Sequence, residues 1–314
     1  MVGADAACII CESLERGEEI HRVGPFGLVC CPGCGLVRLS PQPDDTSLAA
    51  ADYHDEGYSR ALLGPLRELT LSRAKEKLEL LRDAGVLRAG ARVLDVGSSS
   101  GAFLEQAAAA GMRATGVEVG ATTAAAARDR GLDVPTGTLE EALERLGEDR
   151  FDLVTFWDVR KHVRNPRREL RLARGLLAEG GRIAATFPNI EGWYPRATHR
   201  LIAGRTGFWE HPEVPVHLYD FAPATARALF ARCGLGVELL RTLPVPFEHY
   251  RETTLSIDSL GGGRRARATR LAFEALRLAI YSPARLLDRS NSLFVCARAG
   301  SGGIADPGSG AGAG

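Results

Sequence analysis

The chain lacks an excess of charge of either sign: 39 Lys and Arg balance 39 Asp and Glu. That balance argues against a surface built as a whole to grip nucleic acid, although local basic patches remain open to it. No strand candidate interleaves aromatic and basic residues, which weakens the case for RNA further. No uninterrupted apolar run approaches the roughly 20 residues of a membrane-spanning helix. Met1 to Cys11 has neither the basic start nor the apolar core of a secretory signal. A cytoplasmic location is therefore expected, and in a reducing compartment cysteine pairs are read as metal ligands before disulfides. What remains is 314 residues, 45% hydrophobic and 25% charged, suited to one large or two modest globular domains.

Cysteine is not scarce, and its spacing is informative. Cys8-Ile-Ile-Cys11 and Cys31-Pro-Gly-Cys34 are two C-x2-C pairs separated by 19 residues. Four thiolates so spaced fit a tetrahedral zinc with no open position, hence a structural ion. Cys30 is the competing ligand, with the poorer spacing to Cys34; reduced cysteines without metal are the alternative. Pro41 and Pro43 mark an extended exit from this ribbon, and Tyr53 and Tyr58 follow, either covering a ligand site or packing on the next helix. That helix opens at Pro65 and ends at Gly85.

The chain then alternates between strand and helix patterns, which predicts a mostly parallel, Rossmann-like α/β sheet. Strands are expected at 92–96, 114–118, 133–135, 151–157 and 182–187, the last entered by a sharp turn at Gly180-Gly181. Helices are expected at 102–110, 122–130, 139–146 and 166–177. After an aperiodic region at 190–219 come a helix at 223–233 and strands at 237–243 and 292–297. The expected organisation is a zinc ribbon over 1–40, a linker and helix over 41–87, and the α/β domain over 88–299. Residues 190–222 and 244–290 would be substrate-facing or lid insertions, and 300–314 a disordered tail. Arg264 to Arg289 carries seven arginines against Glu274 and Asp288. A membrane surface can take such a helix, but a lid or packing helix with solvated arginines is preferred.

The first strand ends in Asp95, followed by Gly97-Ser98-Ser99-Ser100-Gly101 and an alanine-rich helix. A dinucleotide fingerprint is absent, since Ser99 and Ala102 stand where its second and third glycines belong. Glu118 closes the second strand, where a carboxylate can accept both hydroxyls of a ribose. The turn resembles the acid-plus-G-x-G-x-G motif of class I S-adenosylmethionine (SAM) methyltransferases, with Ser99 in place of the central glycine. Together with Cys31 to Arg38, Phe151 to Pro166, Gly180 to Asn189 and His217 to Thr225, the chain is similar to bacterial class I SAM methyltransferases that carry an N-terminal zinc ribbon and serve sugar and natural-product pathways.

The resemblance implies SAM as methyl donor. Asp95 and Gly97, Ser98, Ser99 and Gly101 would face its methionine part, and Glu118 its ribose. Thr138 and Leu139 would lie at the adenine, and Phe156, Trp157 and Asp158 would wall the transferring methyl. Lys161 stands where relatives carry a glutamate, so no magnesium site is expected there. Methyl transfer to a hydroxyl or activated carbon needs a base, and His162 is the first candidate, with His217 and Tyr219 next. Either histidine can instead be structural. Arg160, Lys161 and Arg164 can hold an anionic group on a small-molecule acceptor such as a nucleotide-linked sugar; Arg167, Arg171 and Arg174 read as a solvated helix face. A ribosomal-RNA methyltransferase and a non-catalytic scaffold are the rival readings.

Overall fold

The computed structural model describes residues 7–44, 62–159, 163–244 and 264–300, with backbone alone for 264–267. Tyr53, Tyr58, Arg160, Lys161 and His162 lie outside the described residues, as does the tail from 301.

The ribbon is an antiparallel meander of β1 (Glu18–Val23), β2 (Phe26–Cys30) and β3 (Val37–Ser40). After α1 (Arg67–Asp83), the α/β unit runs β4 (Arg92–Val96), α2 (Ala102–Ala109), β5 (Arg113–Val117), α3 (Ala121–Asp129), α4 (Leu139–Leu146), β6 (Phe151–Phe156), α5 (Pro166–Gly175) and β7 (Leu177–Pro188). Then come α6 (Trp193–Thr198), β8 (Tyr219–Asp220), α7 (Pro223–Arg232), β9 (Leu235–Leu243), α8 (Arg264–Leu286) and β10 (Ser292–Ala299). The main sheet has the order β5-β4-β6-β7-β10-β9; its first four strands are parallel, and β10 runs antiparallel to both neighbours.

Local chemistry accounts for most boundaries. Thr138 and Glu141 form a reciprocal cap at the start of α4, with Glu141 N–H donating to Thr138 Oγ1 at 3.2 Å and Thr138 N–H to Glu141 Oε2 at 2.7 Å. Asn165 caps α5 ahead of Pro166, and Pro223 opens α7, proline's preferred first helical position. Gly85, at φ +68°, follows the cap of α1. Pro65 stands before that helix, which begins at Arg67.

Three expectations are corrected. Residues 133–135 run beside β5 through isolated bridges and do not form a regular strand; Pro135 has no N–H to continue a ladder. Gly180-Gly181 lies inside β7, as an irregularity between the Phe151–Leu177 and Leu153–Arg182 pairings. The aperiodic region holds α6 and a π turn over His199–Ala203, which short sequence patterns do not reveal.

The sheet alternates its side chains between two cores. Leu293, Val295 and Ala297 face α4, α5 and α7, whereas Phe294 and Cys296 face α1 and α2. The first core continues without a break into the ribbon, joining Cys8, Leu28 and Leu36 to Phe187, Phe221 and Phe230. A strand supports that join: β8 pairs antiparallel with β3, matching Val37 to Asp220. Ribbon and α/β unit therefore share one hydrophobic interior.

Candidate functional site

The carboxyl ends of β4 and β5 build one wall of a cleft of about 990 Å³. Beyond β4 the chain turns back, with Gly97 and Ser98 N–H both donating to Val117 O at 2.8 and 3.0 Å. Gly97 sits at φ +75°, and a Cβ there would come within 2.3 Å of Val159 Cγ2. Ser99 occupies the left-handed region at φ +51°, unusual for a residue with a side chain. Its N–H donates to Glu118 Oε2 at 2.7 Å, while Glu118 Oε1 accepts from Gly120 N–H at 2.7 Å. Two charge-assisted bonds thus lock the buried Glu118 carboxylate between the two strand ends.

Asp95 is buried beneath the same turn, its Oδ1 accepting from Thr155 Oγ1 at 2.7 Å. Burial pushes its carboxyl up to about 7, against the Thr155 hydrogen bond and the charge of Lys77, with Glu118 adding to the rise. Ser98 and Trp157 line the cleft, while Ser98 Oγ and Trp157 Nε1 are buried with no hydrogen-bond partner among the described residues. Trp157 stacks near Phe294 (6.4 Å, 9°), meets Phe103 edge-on at 5.3 Å and carries Lys77 Nζ over its ring at 5.3 Å. Asp158, at φ +62°, donates its N–H to Thr186 Oγ1 at 2.9 Å.

The opposite wall is the loop before β8. His211 and Glu213 line it with His217. His211 Nε2 lies 3.1 Å from Asp220 Oδ1, and His217 Nε2 lies 3.2 Å from Glu213 Oε2. Burial pushes the neighbouring Glu210 carboxyl up to about 7, against the Tyr194 hydrogen bond and the charge of Arg277.

The structure brings Asp95, Gly97, Ser98, Ser99, Glu118, Trp157, Asp158 and His217 to the cleft. It does not bring Tyr219 there: its hydroxyl donates to Arg164 O at 2.8 Å and accepts from Gln42 Nε2 at 2.9 Å, under the ribbon. Phe156 and Leu139 point into the core, Phe156 because strand alternation turns it away from the face that Trp157 takes. Thr138 spends its hydroxyl on the α4 cap, and Gly101, at φ +78°, turns the chain into α2 behind the wall. Arg164 reaches Pro43 O at 2.6 Å and does not line the cleft. Arg167, expected to be solvated, bonds Glu12 of the ribbon at 2.7 Å. Sequence reasoning missed His211, Glu213 and Lys77; a dense run of titratable residues, Glu210-His-Pro-Glu213 through His217, was the available signal.

In the ribbon, the Sγ atoms of Cys8, Cys11, Cys31 and Cys34 all lie within 4.8 Å of one another. Cys30 ends β2 outside that cluster. Four converging sulfurs, two of them on buried residues, are compatible with a closed tetrahedral metal site. Burial raises the thiols of Cys8 and Cys34, a cost that a bound cation would offset. No helix among the described residues is long and apolar enough to cross a membrane.

A family model described as a methyltransferase domain matches residues 67–239, more than half of the chain. The ubiquinone biosynthesis O-methyltransferase of Nitrosococcus oceani is 31% identical over 160 residues, covering 47% of this chain and 62% of that protein. The enzyme of the same name from Aeromonas salmonicida is 29% identical over 157 residues, 48% of this chain and 63% of that one. The chain thus spans a little over three fifths of the length of these two relatives. Among solved structures, magnesium protoporphyrin IX methyltransferase from Synechocystis PCC 6803, with bound SAH, shares the fold at a TM-score of 0.50 and 13% identity, covering 81% of this chain and 99% of that one.

Proposed function

Because the chain belongs to the methyltransferase-domain family, we propose that it transfers a methyl group from SAM to a hydroxyl of a small-molecule acceptor held in the cleft. One observation carries the reading. Two buried carboxylates, Asp95 and Glu118, end adjacent parallel strands around the Gly97–Ser100 turn, and both acids and the turn line the cleft.

The residues present fit SAM. Glu118 would hold the ribose hydroxyls, and Asp95 with the Gly97–Ser99 turn the cationic methionine end. Trp157 and Asp158 would wall the methyl group. SAM supplies an electrophilic methyl on a positively charged sulfur, so the protein's task is alignment and exclusion of water. A hydroxyl acceptor is favoured because the relatives are named as O-methyltransferases. Zinc in the four-cysteine cluster is proposed as structural, since four protein ligands leave no position for substrate.

Calorimetry with SAM and SAH, followed by transfer of labelled methyl from SAM to panels of phenols, nucleotide sugars and ribosomal RNA, tests the proposal. Binding together with transfer to a small hydroxyl compound is expected. Transfer to RNA alone would replace the acceptor class, and absence of SAM binding would reduce the chain to a scaffold on the same fold.

A further inference from the structure

Resting on the reading of the cleft as a methyl-transfer site, we propose that His211 is the general base that takes the acceptor's hydroxyl proton, with Asp220 as its positioning residue. Asp220 is buried, with 3% of its side-chain surface exposed, and its Oδ1 lies 3.1 Å from His211 Nε2. A buried carboxylate is costly unless paired, so the His211 N–H is what the site offers it. That bond fixes the tautomer: Nε2 carries the proton and Nδ1 keeps its lone pair. His211 retains 10% of its side-chain surface, lines the cleft, and makes no hydrogen bond through Nδ1 among the described residues. The unbonded lone pair of a cleft-lining residue is thus left for a ligand to meet.

The other histidine of this wall is placed less well for the task. His217 keeps 3% of its side-chain surface, and its Nε2 lies against Glu213, which is itself 26% exposed. The groups around His211 are Asp220 on β8, Glu210 and Glu213 on its own loop, and the Trp209 ring at 5.4 Å with His199 beyond it. Among the described residues, Asp220 is the one acid that shares a hydrogen bond with it. Asp220 is itself fixed by the ribbon: it lies in β8, paired with Val37 of β3. The ribbon thus helps to aim the pair through that strand pairing.

In the step, the acceptor O–H bond breaks and its proton goes to Nδ1. The oxygen forms a bond to the methyl carbon of SAM, the methyl–sulfur bond breaks, and its electron pair stays on sulfur. The products are a methyl ether, the neutral thioether SAH and an imidazolium beside the Asp220 carboxylate, which then passes its proton to water.

The full chain, its histidines labelled with nitrogen-15, is examined by NMR without ligand. A His211 ring protonated at Nε2 at neutral pH, and a shift toward the other tautomer in Asp220→Asn, are expected. Protonation at Nδ1 in the wild type, or an Asp220→Asn spectrum unchanged at His211, would overturn the dyad. In parallel, methyl transfer is measured on whichever panel hydroxyl the wild type accepts. His211→Gln should lower kcat by about 10²–10⁴-fold, leave SAM affinity within a factor of about three, and abolish the acidic limb of the pH–rate profile. Imidazole should partly restore His211→Ala. A His211→Gln enzyme with wild-type kcat refutes the base, whereas a wild type that binds SAM but methylates no hydroxyl refutes the acceptor class and leaves the NMR test standing.

Discussion

Ser99 and Glu118 are joined across the ends of two strands: the Ser99 N–H donates to Glu118 Oε2 at 2.7 Å, with Ser99 held at φ +51°. A side chain in the left-handed region costs about 1–2 kcal/mol. The charge-assisted bond to a buried carboxylate is what holds it there. Serine thus works in a place where the G-x-G-x-G pattern has glycine, because its N–H is engaged and its side chain is small.

Ser99→Gly should relieve that strain, while glycine's greater freedom in the unfolded chain offsets about 0.5–1 kcal/mol of the gain. The expected result is a change of stability within about 1 kcal/mol and SAM affinity kept. Glu118→Gln should weaken SAM by at least about tenfold, close to 1.4 kcal/mol. Urea melts and calorimetry check both; a Glu118→Gln protein that binds SAM as the wild type does would remove Glu118 from the site.

Gly97→Ala faces two separate obstacles, its φ of +75° and the 2.3 Å approach of a Cβ to Val159 Cγ2. A loss of about 2 kcal/mol or more in stability is expected, together with loss of SAM binding. Adding Val159→Ala should recover the steric part and leave the backbone part. Full recovery in the double mutant would show that φ carries no cost there.

One equivalent of zinc per chain is expected by elemental analysis. Cys31→Ser should abolish it and lower the melting temperature, since metal binding and folding are linked. Cys30→Ser should leave metal content unchanged, because Cys30 stands outside the cluster. Because the core runs unbroken from Leu28 to Phe187 and Phe221, chelation should also weaken binding in the cleft. A chelated chain with unaltered melting and SAM affinity would separate the ribbon from the site.

Asp95 makes the stability depend on pH in an unusual sense. Its carboxyl is raised to about 7 in the folded protein, against about 3.9 when unfolded. Between those values the folded state holds the proton more tightly, so its contribution is fully present near pH 4 and is lost as pH rises toward 7. Asp95→Asn should flatten that part of the curve. A cationic ligand favours the ionised acid, so SAM binding near pH 7 should release protons, read by calorimetry in buffers of different ionisation enthalpy. Equal heats in all buffers would refute the assignment.

Local features were legible in the chain itself. The cysteine pairs, the capped and proline-opened helices, and the acid–glycine turn each depend on residues a few positions apart, so spacing alone determined them. The tertiary structure decided which of the neighbouring polar residues face the cleft. His211, His217 and Tyr219 lie within nine positions, yet Tyr219 turns under the ribbon, His217 closes on Glu213, and His211 meets Asp220 through one ring nitrogen while the other makes no hydrogen bond among the described residues. Strand alternation turned Phe156 into the core and left Trp157 on the opposite face in the same way. The orientations of Tyr219 and Asp220 follow from β8 pairing with a strand some 180 positions earlier. No pattern within a short window records such a pairing, because its energy resides in contacts that exist only once the chain has closed on itself.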